Sequence, residues 1–515
     1  MTDAVDDFPR GTLADDLGTA DGANPFVPAP DTMPRLLTGI RGFDQVTLGG
    51  VPAGRSTLVT GPAGSGKTVM AGQFLAEGAR RGEPGVFVTF EESADDLRRN
   101  LQTLGWPIAE WEAQELWRFV DGSPVTVEGS SEPYNFDALL AQIGHAVDHT
   151  APQRISLDSL NVMLGQLESP ALVRYHLRRL AMELRRVGLT SIMTLESDAT
   201  TARLNAGFEQ FVADNVVLLR NSLEDEKRRR TIEVLKMRGA MHRKGEYPFT
   251  VLPGQGLVVI PLSVLDLSTR STDTRISSGN KALDELCHGG LFRDSIVLVS
   301  GATGSGKTLM VTEFLAGAAE NGERALLFAF EESREQIFRN ARGWGKDFAA
   351  MEEKGLLKVI STYPEVAALE DHLVEITRAI EAFRPARLAI DSLSALERSG
   401  TNKGFREFLI VLSAYIKAEQ LSTLFTATSP SLIGGSSVTE GHVSALTDSI
   451  ILLRYAEVDG EVRRGLTVLK MRGSAHDKRI HEFTIGEDGM RIIGPFRGVA
   501  GILSGHVFAT DSGRS

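Results

Sequence analysis

The sequence repeats itself at a spacing of 240 residues. "GPAGSGKT" at Gly61 to Thr68 returns as "GATGSGKT" at Gly301 to Thr308, and "FEES" at Phe90 returns at Phe330. Further along, "SLDSL" around Asp158 matches "AIDSL" around Asp391, "NVVLLR" matches "SIILLR", and "LKMRG" at Leu235 returns at Leu469, at offsets of 233 to 234. Spacing kept over so long a stretch means that two copies of one domain stand in tandem. Length alone would suggest about three domains; the repeat reduces that to two.

Within each copy, short β-branched runs ("STLVT", "SIVLVS") lead into the glycine loops. Apolar positions at helical spacing follow ("VMAGQFLAEGARRGE", "LMVTEFLAGAAENGE"). "VFVTF", "LLFAF", "RISLD", "RLAID", "SIMTL" and "TLFTA" are near-continuous apolar runs of strand length, the pattern of strands buried on both faces. Their alternation with helices predicts an α/β fold with a mostly parallel sheet in each half, flanked by helices. Residues 1–33 carry seven Asp and a single basic residue, Arg10, and are expected to form an acidic disordered tail. The first domain is expected over 34–266, a Ser/Thr-rich linker over 267–275, the second domain over 276–505 and a short tail over 506–515.

Charge and composition narrow the partners. Fifty-five Lys+Arg against 67 Asp+Glu leave a net charge of −12, so no global basic field draws a nucleic-acid backbone or an anionic membrane. The single cysteine, Cys287, excludes an internal disulfide and a Cys-rich zinc site. No apolar run approaches the roughly 18 residues of a membrane span, and the expected location is the cytoplasm.

G-x-x-x-x-G-K-[ST] is a phosphate cradle. Glycines let backbone N–H groups face the phosphates, the lysine reaches the β and γ oxygens, and the hydroxyl ligates Mg²⁺. These roles fall to Gly64, Ser65, Gly66, Lys67 and Thr68, and to Gly304, Ser305, Gly306, Lys307 and Thr308. ATP and Mg²⁺ are the implied ligands. Asp158 and Asp391 end apolar strands, where a carboxylate holds the metal shell or, alternatively, caps the next helix. Glu91–Glu92 and Glu331–Glu332 end another strand, as catalytic carboxylates or as a solvated acidic edge. Neighbouring strand residues face opposite ways, so one of each pair is expected to act directly. Lys236 with Arg238 and Lys470 with Arg472 alternate with Met, which puts each pair of cations on one strand face. They read as phosphate ligands on a neighbouring subunit or as a solvated basic strand.

Taken together, the twin loops, "FEES", "DSLSALERS", "LKMRGAMHRKGEYPF" and "LKMRGSAHDKRI" resemble the KaiC family, the tandem RecA-like P-loop ATPases of the circadian clock. The resemblance runs from about Leu36 to Gly505. It implies a double-ring homo-hexamer with ATP at subunit interfaces, the first ring an ATPase and the second a Ser/Thr autokinase and autophosphatase. By the same resemblance, Lys236, Arg238 and His242 contact the first nucleotide in trans, and Arg464, Lys470, Arg472, His476 and Lys478 the second. Trp344 lines the second pocket, Glu331 is its general base and a metal ligand, and Glu91 and Glu92 serve hydrolysis. The family's acceptor pair falls in "VTEGHVSALTDSIILLRY". Ser444 holds the serine position and Ala445 the threonine position, so a two-site cycle does not run unchanged; Thr439 and Thr447 are the substitutes. A KaiB-like partner on the first ring is compatible with the sequence, whereas the short stretch after "FRGVAGILSG" counts against a KaiA-type activator. Two other readings use the same residues: a nucleotide-gated scaffold and a nucleic-acid-dependent ATPase. Intact loop lysines oppose the first, and the acidic balance opposes the second.

Overall fold

The computed structural model describes residues 33–123, 135–167, 169–197, 213–224, 227–260, 271–429, 443, 445–458, 460–497, 499–500, 502 and 508–509. In the first domain six runs pair as parallel strands: β1 (Ser56–Gly61), β2 (Gly85–Thr89), β3 (Trp117–Asp121), β4 (Arg154–Asp158), β5 (Thr190–Glu196) and β6 (Asn215–Glu224). Three more, β7 (Lys227–Met237), β8 (Glu246–Leu252) and β9 (Gly256–Val259), extend the sheet antiparallel. The order is β9–β8–β7–β6–β1–β5–β4–β2–β3.

The second domain repeats that order with β10 (Ile296–Gly301), β11 (Ala325–Ala329), β12 (Leu357–Ser361), β13 (Arg387–Asp391), β14 (Ser422–Thr428), β15 (Ser449–Val458), β16 (Glu461–Met471), β17 (His481–Gly486) and β18 (Gly489–Pro495). Two tandem α/β domains with mostly parallel sheets are therefore what the sequence folds into. The antiparallel extension is the part that the apolar runs did not disclose.

Alternate residues of each parallel strand supply two different cores. Val59, Phe87, Ile192 and Val217 pack with α1 (Lys67–Arg80), while Leu58, Val86, Val88, Leu157 and Met193 pack with α3 (Phe136–Thr150) and α4 (Pro170–Arg186) on the opposite face. Helix α2 (Ala94–Gln102) closes the first of these faces. In the second domain the corresponding helices are α5 (Lys307–Glu320), α6 (Arg334–Gly343), α7 (Leu369–Phe383), α8 (Leu393–Arg398) and α9 (Asn402–Ala418). Phe74 on α1 and Phe314 on α5 are fully buried, each side chain contributing about 2–3 kcal/mol by its removal from water.

Arg154 and Arg387 open equivalent strands as buried guanidinium groups. Arg154 donates to Leu37 O (2.6 Å), Phe74 O (3.1 Å) and Glu83 Oε2 (2.6 Å). Arg387 likewise donates to Ser277 O (2.7 Å), Phe314 O (3.0 Å) and Glu323 Oε2 (3.3 Å). Each ties its domain's entry segment to the helix after the glycine loop. Between domains, Arg229 of β7 pairs with Glu370 of α7 (3.3 Å) and Glu407 of α9 (2.5 Å), and Lys227 Nζ donates to Ser399 O (2.9 Å). Thr250 bonds Asp371, and Arg41 bonds Glu381, across the same junction.

One buried position distinguishes the two copies. Gln73 on α1 donates to Gly39 O (2.9 Å) and Leu257 O (3.3 Å) and accepts from Leu257 N–H at 2.7 Å. Its counterpart Glu313 accepts from Met490 N–H at 2.7 Å, and Asn280, standing where the first domain has Ile40, donates to it at 3.1 Å. Burial pushes the Glu313 carboxyl above its ordinary value, against the opposing hydrogen bonds of Met490 and Asn280. A raised folded pKa contributes stability that is fully present below the unfolded value and lost as pH rises through the folded one. Glu313→Gln is accordingly expected to raise the second domain's thermal midpoint by a few degrees at pH 8 and to leave it unchanged near pH 4.5. Calorimetry at the two pH values checks this, and equal shifts at both would refute it.

Candidate functional site

Both candidate sites lie where a central strand ends. β1 stops at Gly61 and α1 begins at Lys67, and the turn between them passes through Gly64 (φ 70°) and Gly66 (φ 94°); Gly304 (φ 76°) and Gly306 (φ 108°) do the same before α5. A side chain at such φ costs about 1–2 kcal/mol, and glycine removes the penalty, so the free N–H groups of a 14-residue helix can point into the turn. Lys67 Nζ donates to Gly61 O and Pro62 O, and Lys307 Nζ to Gly301 O and Ala302 O, all at 2.9 Å. Both lysines are only 9% exposed. Burial pushes their pKa values down. The charges of Glu196, Asp158 and Glu91 oppose this at Lys67, and those of Asp391 and Glu331 at Lys307.

The strand-end aspartates serve the loop and do not cap the helix that follows. Thr308 Oγ1 donates to Asp391 Oδ2 at 2.8 Å and Thr426 Oγ1 donates to Oδ1, while Ser392 caps α8. In the first domain Asp158 accepts from Thr194 and Thr68. Burial raises the pKa of both carboxyls, and the threonine hydrogen bonds and the loop lysines oppose it.

The paired glutamates diverge. The charges of Glu91 and Glu331 reach the loop lysines. Glu92 and Glu332 turn toward the following helices, accepting from Asn100 Nδ2 (3.0 Å) and Asn340 Nδ2 (2.9 Å). Burial, then the charge of Asp391, pushes Glu332 up. Glu331 also accepts from Arg398 Nη2 at 2.9 Å, where the first domain has Gly165. A cavity is lined by Thr308, Glu331, Glu332 and Asp391. Trp344, at the end of α6, packs half-buried against the core beside it and is not part of that lining.

The basic strands stand elsewhere. Lys236 pairs with Val216, which lies beside Leu58, three residues before Gly61; Lys470 pairs with Ile450, which lies beside Leu298, three residues before Gly301. At roughly 3.3 Å per residue, that is about 10 Å from the loop of the same chain. Lys236 Nζ donates to Ala213 O and Lys470 Nζ to Thr447 O, both at 2.8 Å, and Arg472 donates to Ala445 O at 3.1 Å, all at the end of the sheet away from the loop. Arg238 and His242, and His476 and Lys478, follow on the segments leaving that same end. Burial lowers the pKa of Lys236, Lys470 and His242.

Arg464 is separated from this group. It lies over the Tyr455 ring (5.6 Å), and Tyr455 donates to Thr303 O (3.4 Å) in its own chain's loop. Its counterpart Arg230 donates to Gly64 O at 3.3 Å. Arg230, Arg398 and Glu196 are site neighbours that the sequence reading missed; of these, only Glu196, a carboxylate ending the apolar run "SIMTL", left a visible signal. Ser444 and Thr439 lie outside the described residues. Thr447 is fully buried, which removes it as an accessible acceptor.

The residues suit a nucleotide phosphate with a hard divalent cation. Ser65 Oγ and Ser305 Oγ, inside the two turns, are buried with no hydrogen-bond partner among the described residues, as groups waiting for an oxyanion are. Thr68 with Asp158, and Thr308 with Asp391, are oxygen-only donor pairs. Such pairs suit Mg²⁺, which keeps several waters and shares its shell with phosphates. Among the described residues, no three His, Cys, Asp or Glu side chains form an all-protein cage, and no helix is long and apolar enough to cross a membrane.

A family model described as the KaiC ATPase matches the chain twice, at residues 36–264 and 276–496. The chain is 56% identical over 478 residues to the circadian clock protein KaiC3 of Synechocystis sp., covering 92% of this chain and 95% of that protein. It is 48% identical over 477 residues to the circadian clock oscillator protein KaiC of Synechococcus elongatus, covering 92% and 91%. The KaiC of Acaryochloris marina is 46% identical over 475 residues, covering 92% and 91%.

Gly66→Ala places a side chain at φ 94°, which is expected to cost about 1–2 kcal/mol of loop geometry and to weaken first-site nucleotide binding about tenfold. Titration with a fluorescent ATP analogue in a Lys307→Ala background checks this; unchanged affinity would contradict it.

Proposed function

The chain belongs to the KaiC family of ATPases, and on that premise we propose that its first domain hydrolyses ATP while its second transfers the γ-phosphoryl group to Ser/Thr side chains of the same protein and removes it again. The observation that carries this reading is the polarity of each sheet. One end holds a buried lysine, a threonine–aspartate pair and an outward glutamate, and the other holds Lys236 and Arg238, or Lys470 and Arg472, about 10 Å or more from the nearest loop of the same chain. A site built from both ends forms when copies of the chain meet head to tail, and repetition of that contact closes a ring. We take the ring to be a homo-hexamer working in the cytoplasm, with a KaiB-like partner on its first tier.

Bound at Thr68 and Asp158, or at Thr308 and Asp391, Mg²⁺ supplies charge neutralisation to the β and γ phosphate oxygens. The chain's own groups do the rest. Lys67 and Lys307 hold the terminal phosphates from inside the turn. The neighbour's cations close the cage, with His242, His476 and Lys478 beside them. Glu91 or Glu331 takes the proton of the attacking oxygen. Trp344 flanks the second site from α6, and Arg464 approaches from beside the loop of its own chain. Water as nucleophile gives phosphate release; Ser444, or Thr439, gives a phosphoprotein.

Purified protein incubated with γ-labelled ATP and Mg²⁺ is expected to take up label at Ser444. Glu331→Gln is expected to lower the labelling about 100-fold or more, and Ser444→Ala to remove it. Lys67→Ala is expected to abolish most phosphate release and leave the label in place. Peptide mapping with a phosphate-release assay reads all of these. Phosphate release without labelled protein would restrict the second domain to nucleotide binding and hydrolysis.

A further inference from the structure

Among the described residues, the two sites differ by one carboxylate at the end of the strand beside the glycine loop. In the first domain β5 ends at Glu196, paired in register with Gly61, where the glycine loop begins; adjacent strands lie about 4.8 Å apart. Thr194 and Glu196 are two residues apart on this strand and so share a face, and the Thr194 hydroxyl already bonds Asp158. Glu196 therefore faces the side of the sheet that carries the strand-end aspartate, and its charge acts on Lys67 more strongly than that of Asp158 or Glu91. Its backbone is pinned, with N–H donating to Asn161 Oδ1 at 2.6 Å and the carbonyl accepting from Asn161 Nδ2 at 3.3 Å.

In the second domain the same place belongs to Thr428, paired with Gly301, two residues beyond the Thr426 that bonds Asp391, its N–H held by Ser394 Oγ at 2.9 Å. The strand-end N–H is held by a side chain in both copies, Asn161 in the first and Ser394 in the second, and the residue it belongs to changes from a carboxylate to a neutral hydroxyl. With the aspartates occupied by threonines, Glu196 and Glu91 are, among the described residues, the carboxylates left whose charges act on Lys67, and Glu331 the one left whose charge acts on Lys307.

We propose that Glu196 is a catalytic residue of the first site which, together with Glu91, sets water as its nucleophile, and that Thr428 in its place leaves the second site suited to a side-chain hydroxyl. The reason is the number of protons on the attacking oxygen. Water carries two, and its lone pair points at phosphorus only when both O–H bonds are directed elsewhere, which takes two acceptors. A serine or threonine hydroxyl carries one and needs a single acceptor, and a second carboxylate would repel the γ-phosphate without holding anything. In the first site the water oxygen bonds to the γ-phosphorus as the bond from phosphorus to the β–γ bridging oxygen breaks. ADP leaves with that electron pair, one water proton passes to Glu91, and the other stays on the new phosphate, hydrogen-bonded to Glu196 during attack.

This rests on the reading of the first domain as a hydrolase, and the test separates the two. In a Lys307→Ala background, where the first site is read alone, Glu196→Thr is expected to lower kcat for phosphate release about tenfold or more while KM moves less than about threefold. In a Lys67→Ala background, Thr428→Glu is expected to raise second-site phosphate release about threefold and to reduce label on the protein by a similar factor. The second variant decides the matter if the first does not fold. A kcat within about twofold of the parent for Glu196→Thr, or no change in partition for Thr428→Glu, overturns the inference. A parent that releases no phosphate overturns the hydrolase reading, and the inference with it.

Discussion

Each domain buries a lysine ammonium whose direct hydrogen-bond partners are carbonyls of its own turn. A cation so placed is stable only beside an anion or a field of oxygen dipoles, and the surrounding structure provides for one. Left-handed glycines aim a helix N-terminus at the same point. A serine hydroxyl is buried there without a partner. An aspartate one strand further across the sheet is held by threonines, so it stays near the lysine without pairing with it directly. None of this is optional once the central strand turns through glycine into a helix, because that turn alone leaves backbone donors pointing into space.

On this shared frame the two copies part company at a few side chains. Arg398 steadies Glu331 where the first domain has Gly165, and Thr428 stands where the first has Glu196. Deeper in, the Glu313–Asn280 pair replaces Gln73 and Ile40. In both domains the strand-end N–H is held by a side chain at the same place in the fold, Asn161 or Ser394, while the exchanges alter charge and proton-accepting capacity. On the proposed reading, that is how one fold would carry two chemistries. The junction between domains is itself polar: the strand segment that reaches the first loop through Arg230 also reaches α7, α9 and Ser399 through Arg229 and Lys227.

What could be read from the sequence was whatever is local. Glycine spacing, apolar runs ending in Asp158 and Asp391, and the helix after each loop are consequences of neighbours in the chain, and the strands lie within a residue or two of where those runs place them. The antiparallel extension was hidden because β6 and β7, and likewise β15 and β16, alternate irregularly across a bulge that leaves Leu235 and Leu469 on the exposed side. Glu196 was visible at the end of its apolar run but carried no meaning there, for a different reason. A lone acidic residue after an apolar run acquires meaning only from the register that sets it beside Gly61. Their spacing suggested a phosphate-binding role for the cations, but their distance from the loop of the same chain needs the sheet order to be known. Arg464 lies at the loop end of the strand that carries Lys470 toward the other end, a separation that the motif does not disclose.

The proposed division of each site between two copies of the chain is tested most directly by mixing subunits. Lys67→Ala chains keep Lys236 and Arg238, and Lys236→Ala/Arg238→Ala chains keep the first loop, so each is inactive at the first site in a ring of its own kind. In equal mixtures, half of the loops are intact and half of their neighbours carry intact cations, so first-site phosphate release should return to about a quarter of the parent level in a Lys307→Ala background. Release that stays at the level of the separate variants would mean that each site is built from a single chain.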